Sequence, residues 1–305
     1  MPGRKRFGIS LAYNHGWQRP GAGGMQTTPM DLNSITEIAR PRCRADLADW
    51  RSGDAWLAGG TWLFSEPQPH LHRLVDLTGF GWPAVRTSAD GLEIAATCTI
   101  AELDALTLPS DWIAAPLISQ CCRSLLASFK IWNAATVGGN LCMSLPAGPM
   151  IALTTALEGM CTIWSPGDDD RQTSVPDFVV GPQHNALKPG ELLRMIELPA
   201  SALTRRTAFR QISLTPLGRS AVLLIGTLGS RAKSFSLTIT AATMCPIRMA
   251  FSRVPTRTAL AERILSEVPD TRYFNDPHGS PDWRQYMTLE FAEQIRGELS
   301  GETPA

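Results

Sequence analysis

The amino-acid sequence predicts an α+β protein with two or three small domains. A length of 305 residues exceeds what a single small domain usually needs. Strand-like and helix-like segments alternate before residue 203, whereas three strand-like segments followed by two helical ones come after residue 206. Strands and helices that are segregated in this second way are typical of an α+β domain.

Short elements are predicted before residue 100: a helix at 44–51, strands at 55–58 and 74–77, and a hairpin at 84–96. The hairpin follows from Asp90 and Gly91, which separate two strand-like runs. Thr99 and Glu102 have the spacing of a capping box, in which each side chain accepts a backbone N–H bond of the other. They predict a helix that runs through Leu106.

The middle of the chain is predicted to contain an apolar helix, a glycine-rich loop and a second helix. Residues 112–129 are apolar at helical spacing, and the loop follows from Lys130 to Ser144. Pro149 suits the first position of a helix that ends at Glu158. Further strands are predicted at 160–164, 191–198, 207–212, 221–226 and 235–242, and further helices at 257–268 and 286–299.

Composition and charge narrow the classes of partner. Acidic and basic residues balance at 28 each, so the net charge gives no reason to expect nucleic acid or an anionic membrane. No apolar run approaches the roughly 20 residues that span a bilayer. The seven cysteines lack a C-x-x-C pair, which favours reduced thiols in a cytoplasmic protein and predicts no metal site. Residues 1–29 carry a basic start without an apolar segment, and we expect a disordered extension there.

Two glycine-rich segments are the candidate ligand site. The first runs from Leu57 to Leu63, and the second is Thr136-Val137-Gly138-Gly139-Asn140. Glycine lets a backbone turn present consecutive bare N–H groups, and such nests bind phosphate. Two facing nests would hold a pyrophosphate, although a Gly-Gly pair by itself is more often just a tight turn. Neither segment has the G-x-G-x-x-G or P-loop pattern, so neither a Rossmann site nor a P-loop site is predicted.

Both segments resemble those of the FAD-binding subunit of molybdenum hydroxylases. Relatives of that kind are the medium subunit of carbon monoxide dehydrogenase and the flavin domain of xanthine dehydrogenase, which carry Ala-Gly-Gly-x-Ser and Thr-[Ile/Val]-Gly-Gly-Asn. Here Ala58-Gly59-Gly60-Thr61-Trp62 and residues 136–140 match them. The strand around Leu192 and Leu193 resembles the one near the flavin ring, and Phe209-Arg210 resembles the start of the C-terminal domain.

The resemblance implies a fold of the PCMH (vanillyl-alcohol-oxidase-like) type. Two α/β subdomains over residues 30–205 would hold FAD, and residues 206–305 would form a C-terminal α+β domain. The implied FAD-binding residues are Leu57, Ala58, Gly59, Gly60, Thr61, Trp62, Leu63, Thr136, Val137, Gly138, Gly139, Asn140, Leu192, Leu193 and Arg210. No residue of the chain is predicted to be catalytic.

The same resemblance implies an FAD-dependent oxidoreductase subunit that relays electrons from iron–sulfur clusters to an external acceptor. Its partners would be a molybdopterin-binding large subunit and a [2Fe–2S] small subunit. Two departures leave alternatives open: Trp62 stands where the family has serine, and Pro149 stands where it has aspartate. The alternatives are a flavin-free scaffold of the same complex and a stand-alone flavin reductase resembling the enolpyruvyl-glucosamine reductase.

Overall fold

The computed structural model describes residues 32–47, 49–167, 170–229 and 233–302. The expected disordered extension at 1–29 lies outside these residues. The described strands are β1 (Glu37–Ala39), β2 (Asp54–Leu57), β3 (Arg73–Asp76), β4 (Val85–Thr87), β5 (Gly91–Ala95), β6 (Met160–Trp164), β7 (Arg171–Ser174), β8 (Val179–Gly181), β9 (His184–Asn185), β10 (Leu192–Pro199), β11 (Arg206–Ile212), β12 (Val222–Leu228), β13 (Phe235–Thr240) and β14 (Ile247–Phe251).

Nine α-helices and three 3₁₀ turns accompany these strands in the described part of the chain. The helices are α1 (Ile100–Asp104), α2 (Ala115–Arg123), α3 (Phe129–Trp132), α4 (Val137–Met143), α5 (Pro149–Ala156), α6 (Val175–Phe178), α7 (Ala200–Leu203), α8 (Arg257–Glu267) and α9 (Pro281–Ser300). The 3₁₀ turns are Arg44–Leu47, Leu77–Phe80 and Asp270–Arg272. None of the described helices is both long and apolar enough to cross a membrane.

The strands form three main sheets. A parallel sheet has the order β1-β3-β2, and an antiparallel sheet has the order β4-β5-β10-β6-β7. The third sheet, β11-β12-β13-β14, is an antiparallel meander covered by α8 and α9. The predicted α+β class is confirmed, with two sheets and their helices before a third sheet that α8 and α9 cover.

Helix α5 joins the first part of the chain to the C-terminal sheet. All eight of its residues are buried, because the helix packs against α2 and α4 and also against β12 and β13. A helix that is apolar around its whole circumference is stable only in such a surrounded position. The predicted helix start at Pro149 is confirmed, and the helix ends at Ala156, two residues before the expected end.

The parallel sheet meets the five-stranded sheet through a small aromatic cluster. Leu192 lies in this cluster, between Trp56 and Trp164, whereas Leu193 points into the main core. Successive side chains of a strand point to opposite faces, so neighbouring leucines stabilise two different contacts. The guanidinium of Arg194 stacks over Trp82 at 4.1 Å from the ring centroid.

Most predicted elements are confirmed, and three are not. The capping box at Thr99 and Glu102 forms with both reciprocal bonds. The helix predicted at 44–51 is only the 3₁₀ turn Arg44–Leu47, and the one at 112–129 shortens to α2. The predicted loop Lys130–Ser144 contains α3 and α4 instead. Helix α4 was not predicted because its first turn contains two glycines, and glycine disfavours helix interiors.

Candidate functional site

A cleft of about 420 Å³ lies between the two glycine-rich segments. The first segment contributes Ala58, Gly59, Gly60, Thr61, Trp62 and Leu63 to its walls, and the second contributes Thr136, Gly139 and Asn140. The predicted pairing of the two segments is therefore present in the fold. The remaining walls are mostly apolar and come from Trp56, Ser65, Leu125, Ile131, Ala135, Cys142, Met143 and Leu145.

The first segment turns sharply where β2 ends. Gly60 has a φ of +66°, a left-handed conformation that glycine adopts without steric penalty. The turn is closed by the Phe64 N–H, which donates to the Gly60 carbonyl at 2.9 Å, and by the Ser65 N–H, which donates to the Trp62 carbonyl at 2.9 Å. These bonds fix the turn through its carbonyl groups and leave its N–H groups unused.

Gly59 brings the two segments into contact. A Cβ atom at this position would overlap the carbonyl group of Ala134, which lies just before the second segment. Only a residue without a side chain permits this approach of backbone to backbone. The glycine is therefore explained by the packing of the chain, whatever the cleft binds.

The first segment presents backbone donors that the protein leaves free. Within the described part of the chain, the N–H groups of Gly59, Gly60, Thr61 and Trp62 have no acceptor, and neither does the Thr61 hydroxyl. Consecutive free N–H groups in a turn form a concave site for an anion. This segment has the geometry that its sequence predicts.

The second segment has a different geometry. Thr136 is the N-cap of α4, and its hydroxyl accepts the N–H bond of Gly139 at 3.0 Å. The next two donors are also used, because the Val137 N–H donates to the Cys98 carbonyl and the Gly138 N–H to the Ala96 carbonyl, at 2.8 and 3.0 Å. The expected second nest is therefore absent from the described structure, and this segment anchors its own helix.

The side chain of Asn140 presents a free donor from the second segment. Its Oδ1 accepts the Met150 N–H at 3.1 Å, which fixes the amide against the start of α5. Its Nδ2 has no acceptor among the described residues and lies in the wall of the cleft. The second segment thus offers the Asn140 amide to the cleft where the sequence predicted several backbone donors.

Comparison with known proteins settles the family. Residues 34–201 match the family described as the FAD binding domain in molybdopterin dehydrogenase. The chain belongs to this family. The matched residues include both glycine-rich segments and the whole cleft, so the expected FAD cofactor is confirmed by membership.

One curated relative is the caffeine dehydrogenase subunit beta of Pseudomonas sp. (strain CBB1). It is 28% identical over 191 residues, which make up 61% of this chain and 63% of that protein. The match thus spans less than two thirds of the relative's length.

Solved structures show the same fold for nearly the whole chain. Quinoline 2-oxidoreductase from Pseudomonas putida 86 superposes with a TM-score of 0.73 at 19% identity, covering 89% of this chain and 99% of the other. The carbon monoxide dehydrogenase from Hydrogenophaga pseudoflava gives 0.72 at 17% identity, covering 88% and 99%. The predicted fold class, including the C-terminal α+β part, is confirmed by these matches.

The cleft fits the pyrophosphate of FAD on one side. Four free N–H groups and the Thr61 hydroxyl of the first segment would bind its oxygens. Among the described residues, no Asp or Glu lines the cleft, and burial raises the pKa of the Cys142 thiol to about 12. At pH 7 the described residues of this wall therefore present no negative side chain to an anion.

Six of the predicted FAD residues do not line the cleft: Leu57, Val137, Gly138, Leu192, Leu193 and Arg210. Leu192 and Leu193 are 1% and 2% exposed, within cores. Arg210 donates to Gln294 at 3.0 Å and to Glu298 at 2.7 Å, both on α9. That side chain is engaged inside the C-terminal α+β part, and its role in FAD binding stays a prediction.

Sequence reasoning missed the apolar walls of the cleft. Trp56, Ile131 and Leu145 flank the glycine-rich segments, and apolar residues next to such turns were the available indication. Trp56 is fixed by its indole N–H, which donates to the Glu191 carbonyl at 2.8 Å, and by Trp50, whose ring centroid lies 4.3 Å away. The aromatic wall is thus connected to the start of β10.

Glu191 makes a pH-dependent contribution to the stability of the structure around this wall. Its carboxylate is 5% exposed and accepts two bonds from Arg171, at 3.0 and 2.6 Å. This guanidinium holds the pKa of Glu191 below its usual range, and the Lys188 N–H acts in the same direction. A carboxylate with a lowered folded pKa stabilises the native state above its unfolded pKa, and this contribution disappears as the pH falls through the folded pKa.

We expect Glu191→Gln to lower the free energy of unfolding by about 1.5–3 kcal/mol at pH 7, because bonds to a charged partner are lost. The difference from the unmodified protein should shrink on acidification, since both proteins are then neutral at this position. Urea unfolding at successively lower pH measures it. A difference that stays constant with pH would contradict the assignment to charge.

Thr136 offers a second test of the local structure. Replacing Thr136 with valine keeps the shape but removes the acceptor of the Gly139 N–H, and loss of an N-cap costs about 1 kcal/mol. Thr136→Ser retains a hydroxyl and should recover most of that free energy. If valine and serine were equally stable in thermal unfolding, the cap would contribute nothing here.

Proposed function

We propose that this chain is the FAD-binding electron-transfer subunit of a molybdenum hydroxylase complex. The observation that carries the proposal is the cleft with free backbone donors in a domain of the FAD-binding family. Family membership concerns FAD alone. We further propose a complex in which electrons enter and leave through that cofactor.

The residues of the chain would bind and orient FAD, while the reaction belongs to the cofactor. The N–H groups of residues 59–62 would hold the pyrophosphate, together with the hydroxyl of Thr61 and the Nδ2 of Asn140. The apolar walls would exclude water around the bound molecule. When bound, the flavin accepts electrons and passes them on to an acceptor.

The proposed partners are a molybdopterin-binding large subunit and a [2Fe–2S] small subunit, assembled as a hetero-oligomer in the cytoplasm. The name of the caffeine dehydrogenase relative marks that protein as one subunit among others. One neighbouring solved structure is a Cu,Mo-containing carbon monoxide dehydrogenase, with a TM-score of 0.71 at 21% identity over 88% of this chain. Within the described residues, no group of three or more His, Cys, Asp and Glu side chains is placed to bind a metal ion.

The absorbance spectrum of the purified full chain, before and after denaturation, tests the cofactor. We expect flavin bands and the release of one FAD for each chain. A colourless protein that also fails to take up added FAD would overturn the proposal and favour the flavin-free scaffold.

The electron-transfer role requires the complex. With the complex purified from its host, we expect the reduction of an external acceptor to be lost when this chain is omitted, while substrate still bleaches the iron–sulfur absorbance. Undiminished acceptor reduction without this chain would refute the relay. Oxidation of a reduced nicotinamide with a soluble substrate by the isolated chain would instead identify a stand-alone reductase.

A further inference from the structure

Trp62 is the one tryptophan in the wall of the cleft whose polar atom the described protein leaves without a partner. Its side chain is half-buried and lines the cleft next to the free N–H groups. In the described part of the chain, its indole N–H has no acceptor and its ring contacts no other aromatic ring. A half-buried N–H donor of this kind is available to a ligand.

The neighbouring tryptophans differ from Trp62 in this respect. Trp56 donates to the Glu191 carbonyl and packs against Trp50. Trp132 donates to the Leu125 carbonyl at 3.0 Å and packs against the main core. The indoles of Trp56 and Trp132 are therefore held by their own N–H bonds. The indole N–H of Trp62 is available to a ligand in the cleft.

The donors around Trp62 share one chemical preference. Four backbone N–H groups, the Thr61 hydroxyl and the Trp62 indole N–H come from a single turn, and none of the carboxylates that the structure describes lines the cleft. A turn that presents six free donors in this way favours an anion with several oxygens. Because the N–H groups of residues 137–140 are used within the protein, these anion contacts come mainly from one side.

We propose that Trp62 is a pyrophosphate-binding and covering residue, whose indole N–H donates to a phosphate oxygen of FAD while its ring shields that group from water. The inference rests on the proposed FAD site. Since hydrogen bonds to an anion strengthen when water is excluded, tryptophan replaces the serine of the family pattern with a donor that also desolvates. We therefore expect the chain to bind FAD more tightly with tryptophan at position 62 than with serine.

The test is the dissociation constant of FAD for the full 305-residue chain, measured by calorimetric titration of the protein freed of flavin. Trp62→Phe keeps a ring and removes the donor, and we expect its dissociation constant to rise about tenfold, as for one lost bond to a charged group. Trp62→Ser, which restores the residue of the family pattern, should also bind more weakly than the unmodified chain. Trp283→Phe, the same change on α9 away from the cleft, should leave the constant unaltered.

ADP provides the second probe, because it contains the pyrophosphate without the flavin. We expect Trp62→Phe to weaken ADP by the same factor as FAD. Unchanged ADP binding with weakened FAD binding would place the indole against the flavin ring and overturn the proposal, and so would tighter FAD binding by Trp62→Ser. If the unmodified chain binds no FAD, the proposed function itself fails. If it binds FAD and Trp62→Phe binds it equally well, only the role of Trp62 fails.

Discussion

Replacing Gly59 with alanine is expected to separate the two glycine-rich segments and to weaken FAD binding by at least about tenfold. The new Cβ would overlap the carbonyl group of Ala134, which is backbone and has no rotamer to relieve the contact. Overpacking of this kind destabilises a protein by about 1–3 kcal/mol. Because the overlap lies between the walls of the cleft, the same displacement should move the free N–H groups away from their ligand. Titration with FAD and thermal unfolding measure both effects.

A matched control is Gly181→Ala, at the end of β8. A Cβ at Gly181 would meet no atom within 4 Å, and its φ is not in the left-handed region. We expect this variant to unfold at the same temperature as the unmodified protein and to bind FAD equally well. If Gly59→Ala behaved in the same way as the control, close approach of the two segments would not be needed for the site.

Replacing Arg284 with methionine should have the largest effect on stability, a loss of about 3–5 kcal/mol, as expected when one partner of a buried ion pair is removed. The side chain is 1% exposed and pairs with Asp276. It also donates to the carbonyl groups of Ala221, Ala241 and Gly279. Methionine fills a similar volume but leaves these acceptors and the carboxylate without their donor. Urea denaturation gives the free energy of unfolding.

Arg263→Met is the corresponding control, since Arg263 forms a surface pair with Glu267 on α8, with side chains 36% and 43% exposed. Exposed pairs of this spacing contribute about 0.3–0.5 kcal/mol. Arg263 also donates to the Ala250 carbonyl at 2.7 Å and stacks over Phe251, so we expect a loss larger than the pair alone gives but below that of Arg284. Equal losses of unfolding free energy for the two variants would show that the burial of Arg284 adds nothing to its stabilising effect. The effect of Arg284 should also reach the cleft, because the Ala241 N–H donates to the Pro146 carbonyl at 2.8 Å, next to Leu145 in the wall.

Local patterns predicted most elements because their causes are local. The capping box at Thr99 and the start of α5 at Pro149 depend on atoms within one helical turn, so a few residues suffice to predict them. The loop predicted at Lys130–Ser144 was wrong for the opposite reason. Gly138 lies in α4 because its backbone packs against Ala96, and no pattern near residue 138 contains that contact.

The sequence by itself determined the α+β class and the order of the elements, since helix caps and strand patterns are read from adjacent residues, and its resemblance to a known family implied FAD as the cofactor. Only the tertiary structure decided which donors are free. The N–H groups of Val137 and Gly138 donate to the carbonyl groups of Cys98 and Ala96, which lie about 40 residues earlier in the chain. The N–H groups of residues 59–62 have no acceptor among the described residues. A hydrogen bond between distant segments depends on where the fold brings their carbonyl groups, and that position is a property of the whole packed structure.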